Sequence, residues 1–560
     1  MLRAVFVLGV VAFIFCACAA NGFCEEKKAA ETNGMDLLSE LLKAKGVITP
    51  EEADALKAKI TGAESTESIK ALVNLLKNKG LVSEGEAERF NQTLAKKPTP
   101  AQAAAKAILV VPRDQEYVQK ITENVKTEVK KDIHDQVQTE VAEKASQGAL
   151  QSYLAPNLPD WLQRLQFSGD MRLRIQPYYF PKSNATFVED PNNPTQSLNT
   201  NVNRMNEYLR LRLKVEADVN DQMTLGVRLA TGDQTNPVSD NVIFGNYFAK
   251  NGFVLDQAYL RYHPFADLNI WAGRMPNPWF YTDLIWANDL NFEGVAAAYK
   301  RNIVGDLTGY LTGGAFPLQD LYQESPMLSS HDKWLFGGQG VMEYKRDGKY
   351  SVKLGVALYD YENITGIENP PYLSNYNYTA PLFMQKGNTV FNINGQTYPY
   401  TTVTNALAAH FRDVDITGAF DIVCWDPIHV VISGDYVKNI GFNAQEVSAL
   451  SGRPVGYMQD YAWKAGLLVG YPAPRKFLQW NVFAYYKYVG TDSVVDAFDD
   501  SDFHLGGTNA QGWIVGAELG LMKNVWLTAR WMTADQISPF QNSNGPFSVD
   551  VFQFDTNASF

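Results

Sequence analysis

The stretch Glu207-Tyr-Leu-Arg-Leu-Arg-Leu-Lys-Val-Glu-Ala-Asp-Val219 decides the fold. Leu209, Leu211, Leu213, Val215, Ala217 and Val219 fall on one parity, and Arg210, Arg212, Lys214, Glu216 and Asp218 on the other. A period of two puts successive side chains on opposite faces of a strand. This run is about twice as long as an average strand of five or six residues. Its polar face is also too charged for a dry sandwich core to accept without partners. Lipid on one face and water on the other satisfies both observations.

The pattern recurs outward from this stretch. Phe167, Met171, Leu173 and Ile175 alternate with Asp170, Arg172 and Arg174. At the chain's end Phe552, Phe554, Thr556, Ala558 and Phe560 alternate with Gln553, Asp555, Asn557 and Ser559. Turn residues such as Asn220-Asp221, Asp347-Gly348, Asp426-Pro427 and Lys523-Asn524 mark short connections. Long polar stretches lie between them at 177–206, 232–253, 275–292, 314–333, 361–411, 438–460, 490–510 and 535–547. Seven short turns alternating with eight long loops imply about sixteen strands of about ten residues, long enough to cross a bilayer when tilted. In lipid every backbone group must be bonded within the protein, so such a sheet must close. A closed sheet of this size encloses water. The expected fold is mainly β: a closed antiparallel transmembrane β-barrel of about 16 strands over residues 160–560. Aromatics near strand ends (Tyr178, Tyr179, Trp271, Trp480, Tyr486, Tyr488, Trp526 and Trp531) fit two interfacial girdles.

Composition narrows the classes. The 560 residues carry a net charge of −12, with 12% aromatic residues. Their mean hydropathy of −0.23 excludes a multi-helix membrane protein. Past residue 24 no run of about 18 apolar residues offers a spanning helix. The acidic balance argues against a nucleic-acid partner. Residues 1–24, a basic residue followed by an apolar run and small residues, read as a secretory signal peptide. Three of the four cysteines lie in or near it, too few elsewhere for a CxxC metal site.

Two segments precede the expected barrel. Leu38 to Asp54 and Leu72 to Glu88 repeat at an offset of 34, each a helix stopped at Gly46 or Gly80 and restarted by the capping boxes Thr49-x-x-Glu52 and Ser83-x-x-Glu86. Residues 34–95 are therefore expected to form two helical hairpins, either structural or a docking module. Residues 113–150 are expected to form an amphipathic helix, with Val118, Ile121, Val125, Val129, Ile133, Val137 and Val141 in a narrow stripe. Coiled-coil self-association, as in a trimer, is one reading of it; a single surface helix is the other. Together these segments are expected to form a helical extension ahead of the barrel, in the periplasm, with a grip on peptidoglycan or another envelope component as one reading of it.

From about residue 156 the chain resembles the putative porin family of Gram-negative outer membranes. The resemblance is carried by Phe167-Ser-Gly-Asp-Met-Arg-Leu-Arg174, Gly273-Arg-Met-Pro-Asn-Pro278, Asp283-Leu-Ile-Trp-Ala-Asn-Asp-Leu-Asn-Phe-Glu-Gly294, the segment from Tyr488 to Asn509, and the terminal Phe560. It implies an outer-membrane porin, a passive diffusion channel for small hydrophilic solutes and ions, with no cofactor and no chemical step. The implied partners are outer-membrane lipid and lipopolysaccharide, and further copies of the chain in a trimer. Phe552, Phe554 and Phe560 resemble the terminal signal read by the barrel-assembly machinery. An envelope tether with a structural barrel and a substrate-specific channel are the alternatives.

Residues 275–292 form the third long loop, which in general porins folds into the lumen. On that resemblance Asp283, Asp289 and Glu293 supply negative charge at a constriction. Arg172, Arg174, Arg210, Arg212, Lys214, Arg228, Arg261 and Arg274 supply a positive wall from the first five strands. Opposed charge of this kind orients dipolar solutes and sets ion selectivity. Asp496, Asp499, Asp500 and Asp502 lie in an expected external loop, read as solvated, with a divalent cation site as the lesser alternative. No HExxH, G-x-S-x-G or phosphate-loop motif is present. A hydrolase reading would have to rest on His331 or His504.

Overall fold

The computed structural model describes residues 164–190, 193–321, 331–395, 403–540, 543 and 545–560. The expected signal peptide, hairpin repeats and amphipathic helix lie outside these residues. Sixteen strands of 8 to 17 residues form one sheet, with the two-residue strand Val242–Ile243 added in a loop. They are β1 (Leu165–Tyr179), β2 (Arg204–Asn220), β3 (Met223–Ala230), β4 (Val254–Phe265), β5 (Leu268–Pro276), β6 (Asn291–Val304), β7 (Leu307–Gln319) and β8 (Lys333–Arg346). Then come β9 (Tyr350–Glu362), β10 (Arg412–Trp425), β11 (Ile428–Asn439), β12 (Tyr461–Gly470), β13 (Trp480–Val489), β14 (Ala510–Met522), β15 (Val525–Gln536) and β16 (Ser548–Ser559).

Every strand pairs antiparallel with its neighbours in sequence, and β16 pairs with β1, so the sheet is a closed barrel. Arg174 lies opposite Asp555, Ile175 opposite Phe554 and Met171 opposite Ala558. Past the end of β16, Gly169 and Phe560 exchange backbone hydrogen bonds of 3.2 and 3.0 Å. A Cβ on Gly169 would stand 2.7 Å from both the Phe560 ring and the Arg212 carbonyl, so this close approach needs glycine.

The register keeps the two faces apart. Across β1 and β2, Met171 faces Leu211 and Leu173 faces Leu209, while Asp170 faces Arg212 and Arg172 faces Arg210. The first set points out: Met171, Leu173 and Leu213 are exposed on the isolated chain, as a lipid-facing belt must be. Aromatics cap the belt. Near the long-loop end Tyr179 stacks on Trp531 at 5.7 Å, Trp463 on Tyr486 at 5.2 Å and Tyr461 on Tyr488 at 5.3 Å. Trp425 and Trp480 are exposed at the short-turn end. Three residues of the expected girdle face inward instead. Tyr178 is buried and bonds the Tyr208 hydroxyl, Trp271 packs on the interior apolar cluster, and Trp526 lines a lumen cavity. Strand-end position alone does not carry parity, and parity decides the face.

The interior is more apolar than the sequence pattern of β1 and β2 suggests. One buried cluster joins inward residues of β4 to β9 and β11 to β13, such as Met275, Phe292, Phe316, Leu335, Tyr359 and Val437, with residues of five long loops.

Candidate pore constriction

The third long connection, L3, runs from residue 277 to 290 between β5 and β6 and folds into the barrel. Its apolar residues do the packing. Leu284, Ile285 and Trp286 are fully buried. Trp279 meets Tyr359 edge-on at 5.2 Å and Trp286 meets it at 5.1 Å, an arrangement favoured by the ring quadrupole. A Cβ at Gly337 of β8 would stand 2.7 Å from the Trp279 ring, so glycine there opens the wall for the indole.

Polar contacts then pin L3 from one side of the lumen to the other. Gln339 of β8 holds the Phe280 backbone in both directions, accepting from its N–H at 2.8 Å and donating to its carbonyl at 2.7 Å. Thr282 donates to Asp435 of β11 at 2.5 Å. Asp283 is ion-paired with Lys464 of β12, and Lys487 of β13 donates to the Asp283 carbonyl at 2.5 Å. At the other end Asp289 accepts from Arg210 at 2.9 Å and Arg212 at 3.2 Å, both on β2. Burial by itself would raise both L3 carboxyls. Lys464 and Lys487 outweigh it at Asp283, and Arg210, Arg172 and Arg212 outweigh it at Asp289, so both are held below the ordinary carboxylate range and stay charged.

A second inward loop was not expected. L7, residues 490–509 between β13 and β14, reaches L3 through the Ala287 N–H to the Phe498 carbonyl at 2.8 Å. Asp496, Asp499, Asp500 and Asp502 are therefore not a solvated external loop. The first three are buried, and Asp502 is largely so. Asp502 pairs with Arg174 at 3.0 Å and Arg530 at 2.8 Å, while Asp499 and Asp500 face the buried Lys487 at 3.3 and 3.6 Å. Among the described residues no group of three or more His, Cys, Asp or Glu side chains is placed to hold a metal ion. Burial pushes Asp496 up to about 8 and Asp499 up to about 7, the latter against the pull of Lys487. Asp502 is held below the ordinary range because Arg174 and Arg530 outweigh its burial. L7 is in turn fastened to the long loop 363–411: Asn388 donates to the carbonyls of Thr491 at 2.7 Å and Val494 at 2.9 Å, and Lys386 to that of Gly506 at 2.6 Å. His504 is buried against the Phe547 carbonyl at 3.2 Å, not on a rim, and burial holds its imidazole well below the usual value.

The two loops, with residues of 231–253, separate two cavities. The larger, about 670 Å³, opens among long-loop residues such as Gln234, Pro381 and Phe498. The smaller, about 270 Å³, is lined by Arg172, Arg174, Arg210, Arg475 and Arg530 and reaches the short-turn end at Arg475 and Trp526.

The expected site residues thus divide. Arg172, Arg174, Arg210 and Asp289 line the smaller cavity, and Arg212 joins them through Asp289 and through Asp170 at 2.8 Å. Asp283 stands at the far anchor of L3. Lys214, Arg228 and Arg261 carry inward parity but pair elsewhere: Lys214 with Glu216 at 3.3 Å, Arg228 with Asp256, Arg261 with Thr224 at 3.3 Å. Arg274 and Glu293 pair with each other at 2.7 Å on the parity opposite Met275 and Phe292, at the edge of the larger cavity. Arg530, Arg475, Lys464 and Lys487 were missed. Arg530 was within reach, since closure brings β15 and β16 beside β1 and Arg530 shares inward parity with Gln553. Lys464 and Lys487 needed the paths of L3 and L7, and Arg475 sits in a short turn, over the Trp526 ring.

A closed sixteen-stranded barrel with an apolar outer belt and a charged, loop-narrowed lumen defines a transmembrane pore of the outer-membrane type. The family model described as Putative porin matches residues 32–560, and the chain belongs to that family: it is an outer-membrane porin channel. Solved structures similar to it include the outer membrane channel DcaP of Acinetobacter baumannii (11% identity, 71% of this chain and 97% of that one, TM-score 0.36). Others are OmpT of Vibrio cholerae with loop L8 deleted (10%, 71% and 99%, 0.38) and an anion-selective porin from Comamonas acidovorans (11%, 71% and 99%, 0.37). A comparison with curated proteins finds no match.

Proposed function

We propose that the channel passes small hydrophilic solutes and ions down their own gradients, through the smaller cavity and past the constriction formed by L3 and L7. The observation that carries this is L3 itself, anchored at Asp289 to Arg210 and Arg212 and at Asp283 to Lys464. A loop fixed at both walls divides the lumen permanently, and fixed charge beside the remaining space filters what enters it. Single-channel conductance with reversal potentials in planar bilayers tests the reading; a folded barrel with no conductance would leave only a structural role, as an envelope tether. A substrate-specific channel is the second reading, favoured by the two cavities in series; saturable transport separates it from general diffusion.

The remaining assignments belong to the same proposal. The helical extension before the barrel lies in the periplasm, available to peptidoglycan, and the chain self-associates as a trimer. Cross-linking with and without residues 25–160 tests both. Phe552 and Phe554 on the lipid face of β16, with Phe560 on the same parity just past its end, form the terminal signal for the assembly machinery. Phe560→Ala should lower the fraction of heat-modifiable, folded barrel in the outer membrane, and an unchanged fraction would refute that role.

A further inference from the structure

The guanidinium groups around the smaller cavity are not equally neutralised. Arg174 is held by Asp502 and Asp555, Arg210 by Asp170 and Asp289, and Arg530 by Asp502. Arg172 has no carboxylate in ion-pair range among the described residues. Its one hydrogen-bond partner is the Asn241 side-chain oxygen at 2.7 Å, and its Nε is buried with no partner. Arg475 also has no carboxylate in ion-pair range among the described residues; it lies over the Trp526 ring at 3.5 Å and donates to the Pro474 carbonyl at 3.5 Å. Two cations without an ion-pair partner among the described residues thus border the same cavity. The acids on the same lining are otherwise engaged, Asp500 with Lys487 and Glu518 with Asn481 at 3.0 Å.

The space has an apolar side as well, made by Phe483 and Trp526. Its volume of about 270 Å³ corresponds to about nine waters at about 30 Å³ each. A solute coming from outside first crosses the larger cavity, whose lining includes Trp286, Phe292, Phe316 and Phe498. The cations of that lining are engaged, Arg274 with Glu293 and Lys333 with the Thr379 and Ala380 carbonyls, so a bare inorganic anion gains less there than one with an aromatic body, and a neutral apolar solute gains nothing from Arg172.

We propose that the smaller cavity is a transient binding site for a small organic carboxylate with an apolar body of ring size, its carboxylate on Arg172 and its body against Phe483 and Trp526, with Arg475 as the next cation toward the short-turn end. Arginine suits this task because its planar fork meets a carboxylate with two parallel N–H groups. Two cations in succession let the anion leave as readily as it entered, which conduction requires. The inference rests on the reading of the lumen as a conducting passage.

The test uses the full chain in planar bilayers, with benzoate, benzamide and inorganic phosphate as probes. Benzoate is expected to interrupt the current in a concentration-dependent way. Benzamide should not, and phosphate should need at least tenfold more for the same block. Arg172→Gln should raise the benzoate concentration for half-block at least tenfold, and Arg475→Gln should raise it less. Arg346→Gln, at a short turn, should not change it. Heat-modifiable migration confirms that each variant is folded. Conductance without benzoate block, equal block by benzamide or phosphate, or an unchanged half-block in folded, conducting Arg172→Gln would each overturn the site while leaving the channel standing. No conductance from the unmodified chain would overturn the channel reading, and this inference with it.

Discussion

Replacing Arg210 and Arg212 together by glutamine isolates the charge of the constriction from its shape. Both guanidiniums contact Asp170 and Asp289, so the double change removes two positive charges and leaves two carboxylates without their main partners. An ion about 4 Å from a unit charge in bulk-like water feels about 1 kcal/mol. Removing two cations therefore moves a permeating cation and an anion apart by about 4 kcal/mol before screening. Salt with a Debye length of about 10 Å, and the glutamines' remaining hydrogen bonds to the same carboxylates, reduce this to about 1–2 kcal/mol. The cation-to-anion permeability ratio should then rise by about tenfold. The measurement is the reversal potential of single channels under a KCl gradient. It should move toward the cation equilibrium potential, and Asp289→Asn, which removes one negative charge, should move it the opposite way by a smaller amount. Folded channels whose reversal potential is the same in all three proteins would place the ion path elsewhere and refute the reasoning.

Three further outcomes follow from the same geometry. Leu211→Arg puts a charge on the lipid face of β2 and should destabilise the barrel by about 2–4 kcal/mol in vesicle unfolding experiments, whereas Ser168→Arg, on the lumen parity of β1, should cost less than half of that. Trp286→Ala removes the ring that packs on Tyr359 and Phe292, should cost about 3–5 kcal/mol of L3 docking, and should raise single-channel conductance; an unchanged conductance would detach L3 from the constriction. Asp496, pushed up to about 8 by burial, holds its proton in the folded state, so its contribution is full below the ordinary carboxylate value and is lost as pH rises through about 8. Lys386, pushed down to about 7, has the opposite sign above that pH, so the readout is the difference between the unmodified chain and Asp496→Asn in hydrogen exchange of L7 amides, which should change between pH 6 and 9.

Most of the barrel was legible because lipid imposes a strict rule on each strand. Leu209 to Val219 alternate without a break, and a single slip would put arginine in the membrane. The loop count was legible for a related reason, since turn residues such as Asp347-Gly348 punctuate only one end. The interior was less so. Inward residues of β6 to β11 include Phe292, Phe316, Leu335 and Tyr359, and no local pattern says that they are covered by a loop instead of facing water. L7 was misread for the same reason: four aspartates in seven residues look like a solvated surface until Lys487, Arg174 and Arg530 are found behind them. Those partners are distant in sequence, so nothing in the heptapeptide announces them.

The uneven interior also accounts for where the passage lies. A barrel wall that presents Phe316, Leu335 and Tyr359 to an aqueous bore would lose the hydrophobic contribution of those side chains, about 1.5–3 kcal/mol for each fully buried apolar group. Trp279, Leu284 and Trp286 of L3 cover that part of the wall, so apolar burial draws the loop to one side. Its ends are then fixed by charge, at Lys464 on one flank and at Arg210 and Arg212 on the other. Space filled by L3 and L7 is no longer available to water; between these loops and the short-turn end, what remains lies against β1, β2 and β13 to β16, where Arg172, Arg174, Arg530 and Asp555 line it. On the proposed reading, selectivity originates in the asymmetry of the inner face: the apolar part positions the loops, and by positioning them it leads a solute from the aromatic lining of the larger cavity to the charged lining of the smaller one.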